Sequence, residues 1–265
     1  MGVPVHDVHP VHPDPSPPEA LAVVVPARDA AARIAATVRA VRTIPGVDVV
    51  VVVDDGSRDA TLRAAAEAGA VALRHPHPRG RAVAIESGAA RVSRLDLADH
   101  VASPRALLFV DADLADVAAW AQSLAGPVMA GEADMTIAIA PSQNASGTTQ
   151  LVDRLAGTGI RRATGWEATQ PLSGLRCITR AAFDGARPLA RGGGLEAGLT
   201  IDVLLAGFRV AEVPCEVSPP ATPAHSGAGG RLERAAQGRD VARALAVRRL
   251  RRAAPLRVLR VLPHK

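Results

Sequence analysis

The sequence predicts an α/β fold, a mainly parallel sheet flanked by helices. Three observations carry this. Short, strongly apolar runs of strand length alternate with stretches of helical period up to about residue 140. One run, Val47–Val53, is almost pure valine, as a strand covered on both faces requires. Charged side chains stand directly after three of the runs, at the strand ends where open parallel sheets bind ligands.

The elements follow in order. Leu21–Val25, closed by Pro26, is the first strand. Asp29 is placed to cap a helix whose Ile34, Val38 and Val41 share one face. Pro45-Gly46 turns the chain into the valine strand, which ends in Asp54-Asp55-Gly56-Ser57. A helix from about Asp59 to Ala68 is stopped by Gly69, and Val71–Leu73 is the third strand. The loop from His75 to Gly80 leads into a helix from Arg81 to about Val92. Ala106–Val110 is the fourth strand, with Asp111-Ala112-Asp113 at its exit and Asp116 able to cap the next helix. Asp134–Ala140 is the fifth.

After Pro141 the pattern changes. Ser142–Thr149 reads as a mobile loop and Leu151–Ala163 as a helix. Gln170–Gly174 is a loop before a strand at Leu175–Ile178. Gly192-Gly193-Gly194 precedes a helix from Leu195 to Ala206, and Phe208–Val217 is a last strand. Pro219–Gly230 reads as a second flexible segment, and the chain from Arg231 as an Arg-rich helix interrupted at Pro255. Residues 1–19, dense in proline and carrying His6, His9 and His12, read as a disordered tail.

Composition narrows the function. Hydrophobic residues are 48% of 265, enough for a sizeable core. The formal charge of +5 suits an anionic partner, but aromatics are only 2%, so the rings that stack on bases are missing and a nucleic-acid partner is not expected. Cys177 and Cys215 lie far apart without metal-type spacing and read as buried free thiols. No apolar run reaches the ~18 residues that span a bilayer. The expectation is a cytoplasmic protein, with peripheral membrane contact through the basic C-terminal segment (Arg248, Arg249, Arg251, Arg252) as its variant. A solvated helix face is the plainer reading of that run.

The acids carry the chemistry. Asp111 and Asp113, two apart after a buried strand, are able to reach one hard divalent cation shared with substrate phosphates. Asp54 is placed to accept from a base or ribose, whereas Asp55 reads as turn chemistry. Arg79-Gly80-Arg81 at a helix start suits an anion, or is an ordinary basic loop; its spacing fits neither dinucleotide nor P-loop patterns. Glu196 is either a dipole-stabilising residue or a catalytic one, and His225 either a solvent-exposed His or a metal ligand. No GxSxG supports a serine hydrolase.

Taken together, Val23–Asp29, Val53-Asp54-Asp55-Gly56-Ser57, Arg79-Gly80-Arg81-Ala82 and Phe109–Asp113 resemble, in order and spacing, family 2-like glycosyltransferases of the GT-A fold. Ser173-Gly174-Leu175-Arg176 resembles that group's later acceptor-side motif. A narrower likeness, in Gln170–Gly174 and Gly193–Asp202, is to glucosyl-3-phosphoglycerate synthases. The resemblance implies a GT-A domain over 20–230, with a nucleotide-sugar half to 140 and an acceptor half from 141, then a basic helical tail over 231–265.

It also implies roles. Asp54 would contact uracil or ribose, with Pro26, Ala27, Arg28 and Asp29 near the base. Arg81 would face the nucleotide. Asp111 and Ala112 would meet the nucleotide-sugar, Asp111 would share the metal with Asp113, and His225 is the candidate third ligand. Ser173, Gly174 and Leu175 would lie on the acceptor side. Glu196 would be the base if the reaction inverts and would orient the acceptor if it retains.

The implied activity is metal-dependent transfer, with Mg²⁺ or Mn²⁺, from a nucleoside diphosphate sugar, UDP first, to a hydroxyl or phosphate acceptor. A small phosphorylated acid is one acceptor. Leu175 and Arg176 depart from the Gly-Glu usual in the narrower family, which argues against phosphoglycerate itself; a polyprenyl phosphate, with the Arg-rich C-terminal segment resting on anionic lipid, is the alternative acceptor. A non-catalytic sugar-nucleotide binder is the third reading, and the assembly is left between monomer and homodimer.

Overall fold

The apolar runs line up in one seven-stranded sheet of order β3-β2-β1-β4-β6-β5-β7. The computed structural model describes residues 16–114, 118–139, 147–215 and 228–253. The strands are β1 (Leu21–Ala27), β2 (Val47–Asp54), β3 (Val71–Arg74), β4 (Ala106–Phe109), β5 (Met135–Ile139), β6 (Arg176–Ile178) and β7 (Val210–Pro214). All neighbours run parallel except at β6, which is antiparallel to both β4 and β5. The GT-A architecture is therefore present.

The helices are α1 (Ala31–Val41), α2 (Thr61–Glu67), α3 (Arg81–Ala98), α4 (Ala118–Met129), α5 (Gly147–Thr164), α6 (Arg180–Gly185), α7 (Leu195–Leu205) and α8 (Ala228–Ala253). One 3-10 turn, Gly192–Gly194, leads into α7. Alternation along the valine strand shows why both faces must be covered. Val51 and Val53 join the core beneath α3 and α7, while Val50 and Val52 join the one beneath α1, α2 and α4. Gly88 lets α3 lie directly on the sheet, since a Cβ there would come within 2.4 Å of Val24 Cγ1. Phe109 of β4 meets Phe183 of α6 edge to face, centroids 5.8 Å apart.

Two topological facts place the site. The chain steps from β1 outward to β2 and β3, then crosses to the other side of β1 to make β4, so the crevice opens at the carboxyl ends of β1, β2 and β4. Because β6 runs against β4, pairing Arg176 with Phe109, the loop that enters β6 meets the loop that leaves β4. A residue 67 positions further along the chain is thus brought to the same rim.

Several expectations need correction. Asp29 does not cap α1: Ala30 is the N-cap residue and makes no side-chain cap. The Ala30 and Ala31 N–H groups go instead to Thr61 Oγ1 (2.8 Å) and Asp59 Oδ2 (3.0 Å). Asp29 sits at φ 48 and uses its carboxylate on the Arg58 N–H, 2.8 Å. Helix α3 runs to Ala98, because its last turns are fixed by ion pairs rather than by an apolar stripe: Arg105 bonds Asp96 at 2.7 Å and Asp99 at 2.9 Å. Gly147–Thr149 belong to α5 and Ala228–Gly230 to α8, shortening both expected loops. β7 ends at Pro214.

The basic C-terminal segment is helical and docked over its described part. Asp240 Oδ2 accepts from Gly193 N at 3.1 Å, and the glycine turn is pressed against α8, where a Cβ on Gly194 would lie 2.6 Å from Ala244 Cβ. Arg248, read as solvated or lipid-facing, is 5% exposed and bonds Asp202 of α7. Cys177 and Cys215 are buried and free, as expected. Of the N-terminal nineteen residues, Ser16–Glu19 are described and Pro18 is buried. No described helix is long and apolar enough to cross a membrane.

Candidate active site

Four segments meet at Arg81. The residue opens α3, and its guanidinium reaches three ways. Nη1 contacts Asp111 Oδ1 at the exit of β4, Nη2 donates to the Gly174 carbonyl at 3.2 Å, and Nε lies 3.5 Å from Glu196 Oε1 in the first turn of α7. Gly174 is needed there, because a Cβ would approach Arg81 Nη2 to 2.8 Å.

Charge is balanced within this cluster. Burial alone would lower the Arg81 pKa, but Asp111, Glu196 and Asp113 hold it above its ordinary value, so the residue stays cationic. Glu196 moves the other way. Burial pushes its carboxyl above the usual carboxylate range, and the Arg81 and Arg176 guanidiniums only partly offset that. A carboxylate raised by burial yet facing two cations is poised for proton exchange or for binding a hydroxyl.

Asp111, Ala112 and Asp113 are all partly exposed. Thr37 Oγ1 of α1 donates to the Ala112 carbonyl at 2.9 Å, which ties the loop to the neighbouring helix. Asp54 is 0% exposed. Its Oδ1 accepts from Ser57 N at 2.8 Å, while Oδ2 is buried with no hydrogen bond and lies 3.7 Å from Arg74 Nε. Arg28 and Asp29 are exposed beside the β1 exit, and Asp29 N donates to Ser57 Oγ at 2.9 Å. Pro26 and Ala27 are the last residues of β1 itself, and the Ala27 carbonyl accepts from Asp55 N at 2.8 Å.

The structure thus brings Arg81, Asp111, Gly174 and Glu196 into contact and places Asp54, Arg28 and Asp29 along the same rim. Ser173 and Leu175 flank Gly174. His225 lies outside the described residues, as does Asp116.

Three residues matter more here than the sequence indicated. Arg176 is 1% exposed, and its guanidinium donates to Ser173 O (2.9 Å), Thr200 Oγ1 (2.8 Å) and Pro171 O (3.3 Å). All three are neutral acceptors, and complete burial lowers its pKa to about 10. It locks the loop carrying Gly174 to the helix carrying Glu196. Asp55 is not merely a turn residue: it accepts from Arg79 N, Gly80 N and His75 Nδ1, at 2.8, 2.8 and 2.7 Å. His75 was legible in principle, since it directly follows β3 at the same rim as the acids.

The profile described as glycosyl transferase family 2 matches residues 22–184. The chain belongs to glycosyl transferase family 2. No curated protein matches it. Among solved structures, this family 2 chain is similar to glucosyl-3-phosphoglycerate synthase from Mycobacterium tuberculosis in several ligand states. The complex of that enzyme with Mg²⁺ and UDP gives a TM-score of 0.68 at 26% identity, covering 87% of this chain and 79% of that one. Its complex with phosphoglyceric acid gives 0.67 at 26% identity, over 87% and 80%. Its complex with Mn²⁺, UDP and glucosyl-3-phosphoglycerate gives 0.66 at 25% identity, over the same shares.

The donor set in this family 2 chain fits a hard divalent cation. Asp111 and Asp113 offer carboxylate oxygens from one partly exposed loop. Among the described residues no three His, Cys, Asp or Glu side chains converge. Two protein carboxylates suit an ion of the Mg²⁺ type, which keeps waters and takes phosphate oxygens instead of filling an all-protein cage.

Proposed function

We propose that the chain transfers a sugar from a UDP-sugar to the hydroxyl of a small phosphorylated acid, with Mg²⁺ or Mn²⁺ held by Asp111 and Asp113. The observation that carries this reading is the Arg81 bridge. One guanidinium joins the carboxylate loop of the nucleotide half to Glu196 and Gly174 of the acceptor half, so donor and acceptor machinery share a single cation. The ligands in the similar solved structures support the choice of UDP, metal and phosphorylated acid.

The bound metal ion would supply Lewis-acid stabilisation of the departing diphosphate. This chain's own residues do the rest. Arg81, held cationic, stabilises negative charge developing on the phosphate oxygens. Asp54 has one carboxylate oxygen without a hydrogen bond, which makes it the acceptor for a ribose hydroxyl or base N–H. Glu196 accepts a hydrogen bond from the acceptor hydroxyl as its oxygen attacks the anomeric carbon. The bond from that carbon to the phosphate oxygen breaks, and UDP leaves with the electron pair, its phosphate oxygen taking up the proton that the acceptor hydroxyl gives up. The first turn of α7 and the loop carrying Gly174 keep Glu196 in place through Arg176.

A thermal-shift series with UDP, GDP and UDP-glucose, with and without Mn²⁺, tests the donor reading. UDP with Mn²⁺ should stabilise the protein more than GDP with Mn²⁺. No shift with any nucleoside diphosphate defeats it. Transfer from UDP-glucose to phosphoglyceric acid, followed by UDP release, tests the acceptor.

A further inference from the structure

We infer that Asp55 and His75 are positioning residues for Arg81: they set the start of α3, and through it the guanidinium that bridges the two halves of the site. This rests on the reading of Arg81 as a donor-site residue.

The Asp55 carboxylate is fully committed. Oδ1 accepts from Arg79 N and meets His75 Nδ1, and Oδ2 accepts from Gly80 N. Arg79 and Gly80 are the two residues immediately before Arg81; Gly80 is the N-cap, whose N–H a helix start leaves without an intrahelical partner, and Arg79 is the last residue of the loop before it. A carboxylate there also faces the positive end of the helix dipole. Burial would raise the Asp55 pKa, but the His75 and backbone hydrogen bonds outweigh it and hold the carboxyl below its ordinary range.

The other end of this arrangement is equally fixed. Asp55 N donates to the Ala27 carbonyl at the end of β1, 2.8 Å, so the carboxylate is anchored to the sheet. Gly56, at φ 75, lies so close to the loop that a Cβ would come within 2.8 Å of Pro78 N. Gly80, at φ 91, turns the backbone from the two N–H groups held by the carboxylate into the first turn of α3.

His75 extends the hold to the body of α3. Its N–H donates to Asp54 O at 2.9 Å, and its ring Nε2 lies 3.0 Å from Ser87 Oγ. With Asp55 as a carboxylate, Nδ1 donates to it, and Nε2 pairs with the Ser87 hydroxyl. The imidazole therefore links the β2 exit to the second turn of α3 and restrains rotation of that helix about its axis. Arg81 and Ser87, both on α3, are then fixed relative to the sheet by one buried carboxylate.

The test is a cycle of Asp55→Asn, Arg81→Met and the double variant, read by calorimetric affinity for UDP in Mn²⁺ and by amide exchange over residues 79–84. Asp55→Asn should speed exchange at Arg79 and Gly80 and weaken UDP about tenfold. In the Arg81→Met background it should cost less than about a further twofold. Losses that multiply overturn the proposal, because Asp55 then serves UDP by another route. Unchanged exchange overturns it whatever the ligand. Arg81→Met with undiminished UDP affinity, or a wild type that binds no UDP, defeats the donor reading instead, and the exchange data then judge the positioning alone. His75 gives a second arm should Asp55→Asn fail to fold. His75→Asn places an amide nitrogen where Nδ1 stood and should keep most of the UDP affinity, whereas His75→Gln, which loses Asp55, should not; the reverse order overturns the role of His75.

Discussion

Arg81 Nε stands 3.5 Å from Glu196 Oε1, although the two residues lie in the first turns of helices α3 and α7, in opposite halves of the chain. Removing the guanidinium should therefore do two things. Arg81→Met should lower kcat/KM for transfer by ~10²–10³, the usual cost of losing one preorganised donor to a developing oxyanion. It should also shift the pH profile. Burial already raises the Glu196 pKa, so activity that needs the carboxylate falls as pH drops through that raised value. Arg81 is the largest influence pulling it down, so its loss moves the acid limb to higher pH. A rate drop with the acid limb unmoved would mean that Glu196 does not titrate in the reaction.

Asp113 tests the metal separately. By mass action, UDP with Mn²⁺ at about a hundredfold over Kd should add about 2.7 kcal/mol to the native state. In Asp113→Ala the Mn²⁺-dependent part of that gain should vanish while any shift from UDP alone persists. Melting curves with UDP, with and without Mn²⁺, read both parts. An unaltered Mn²⁺ increment would take Asp113 out of the metal site.

Gly174→Ala probes geometry without removing a charge. The added Cβ would lie 2.8 Å from Arg81 Nη2 and 3.8 Å from Asp111 Oδ2. The nearest atom is the far end of a flexible side chain, so the fold should survive and the guanidinium should move. A displacement near 1 Å at a reacting site is worth on the order of 10²-fold in rate. The expected result is a large loss of turnover with a melting temperature close to wild type. Equal activity would show that the Arg81 contact with the Gly174 carbonyl is incidental.

How much of this was legible in the sequence depended on what kind of force fixed each part. The strands were, because Val47–Val53 and Ala106–Val110 are apolar runs whose burial needs no knowledge of partners. Helix α6 was not expected, since six residues carry no usable period. The site was legible where it stood at or just after strand ends, as Asp54 and Asp111 do. It was not legible where side chains meet through topology. Nothing in Ser173-Gly174-Leu175-Arg176 says that β6 runs antiparallel, yet that reversal is what sets Gly174 against Arg81. Asp55 likewise looked like turn chemistry because its partners, His75, Arg79 and Gly80, come from a different loop.

Arg248 shows the same limit on the charged surface, and it yields the clearest stability test. In the sequence it is one of four arginines in a five-residue run. In the fold it is 5% exposed, with Nε 2.9 Å from Asp202 Oδ1 and 3.2 Å from the Gly198 carbonyl, Nη2 on Asp202 Oδ2, and Nη1 3.2 Å from the Ala244 carbonyl. Gly198 makes the seat, as a Cβ there would reach Arg248 Cζ at 2.8 Å. Arg248→Ala should therefore destabilise the protein by roughly 3 kcal/mol, the scale for breaking a buried pair from one side. Arg248→Lys should recover little, because an ammonium does not reproduce the two-pronged contact. Arg249→Ala, one residue on and exposed, should stay within about 0.5 kcal/mol of wild type. Urea unfolding of the three variants at one pH measures all of this. Small, equal losses at positions 248 and 249 would return Arg248 to the surface run and release α8 from its dock on α7.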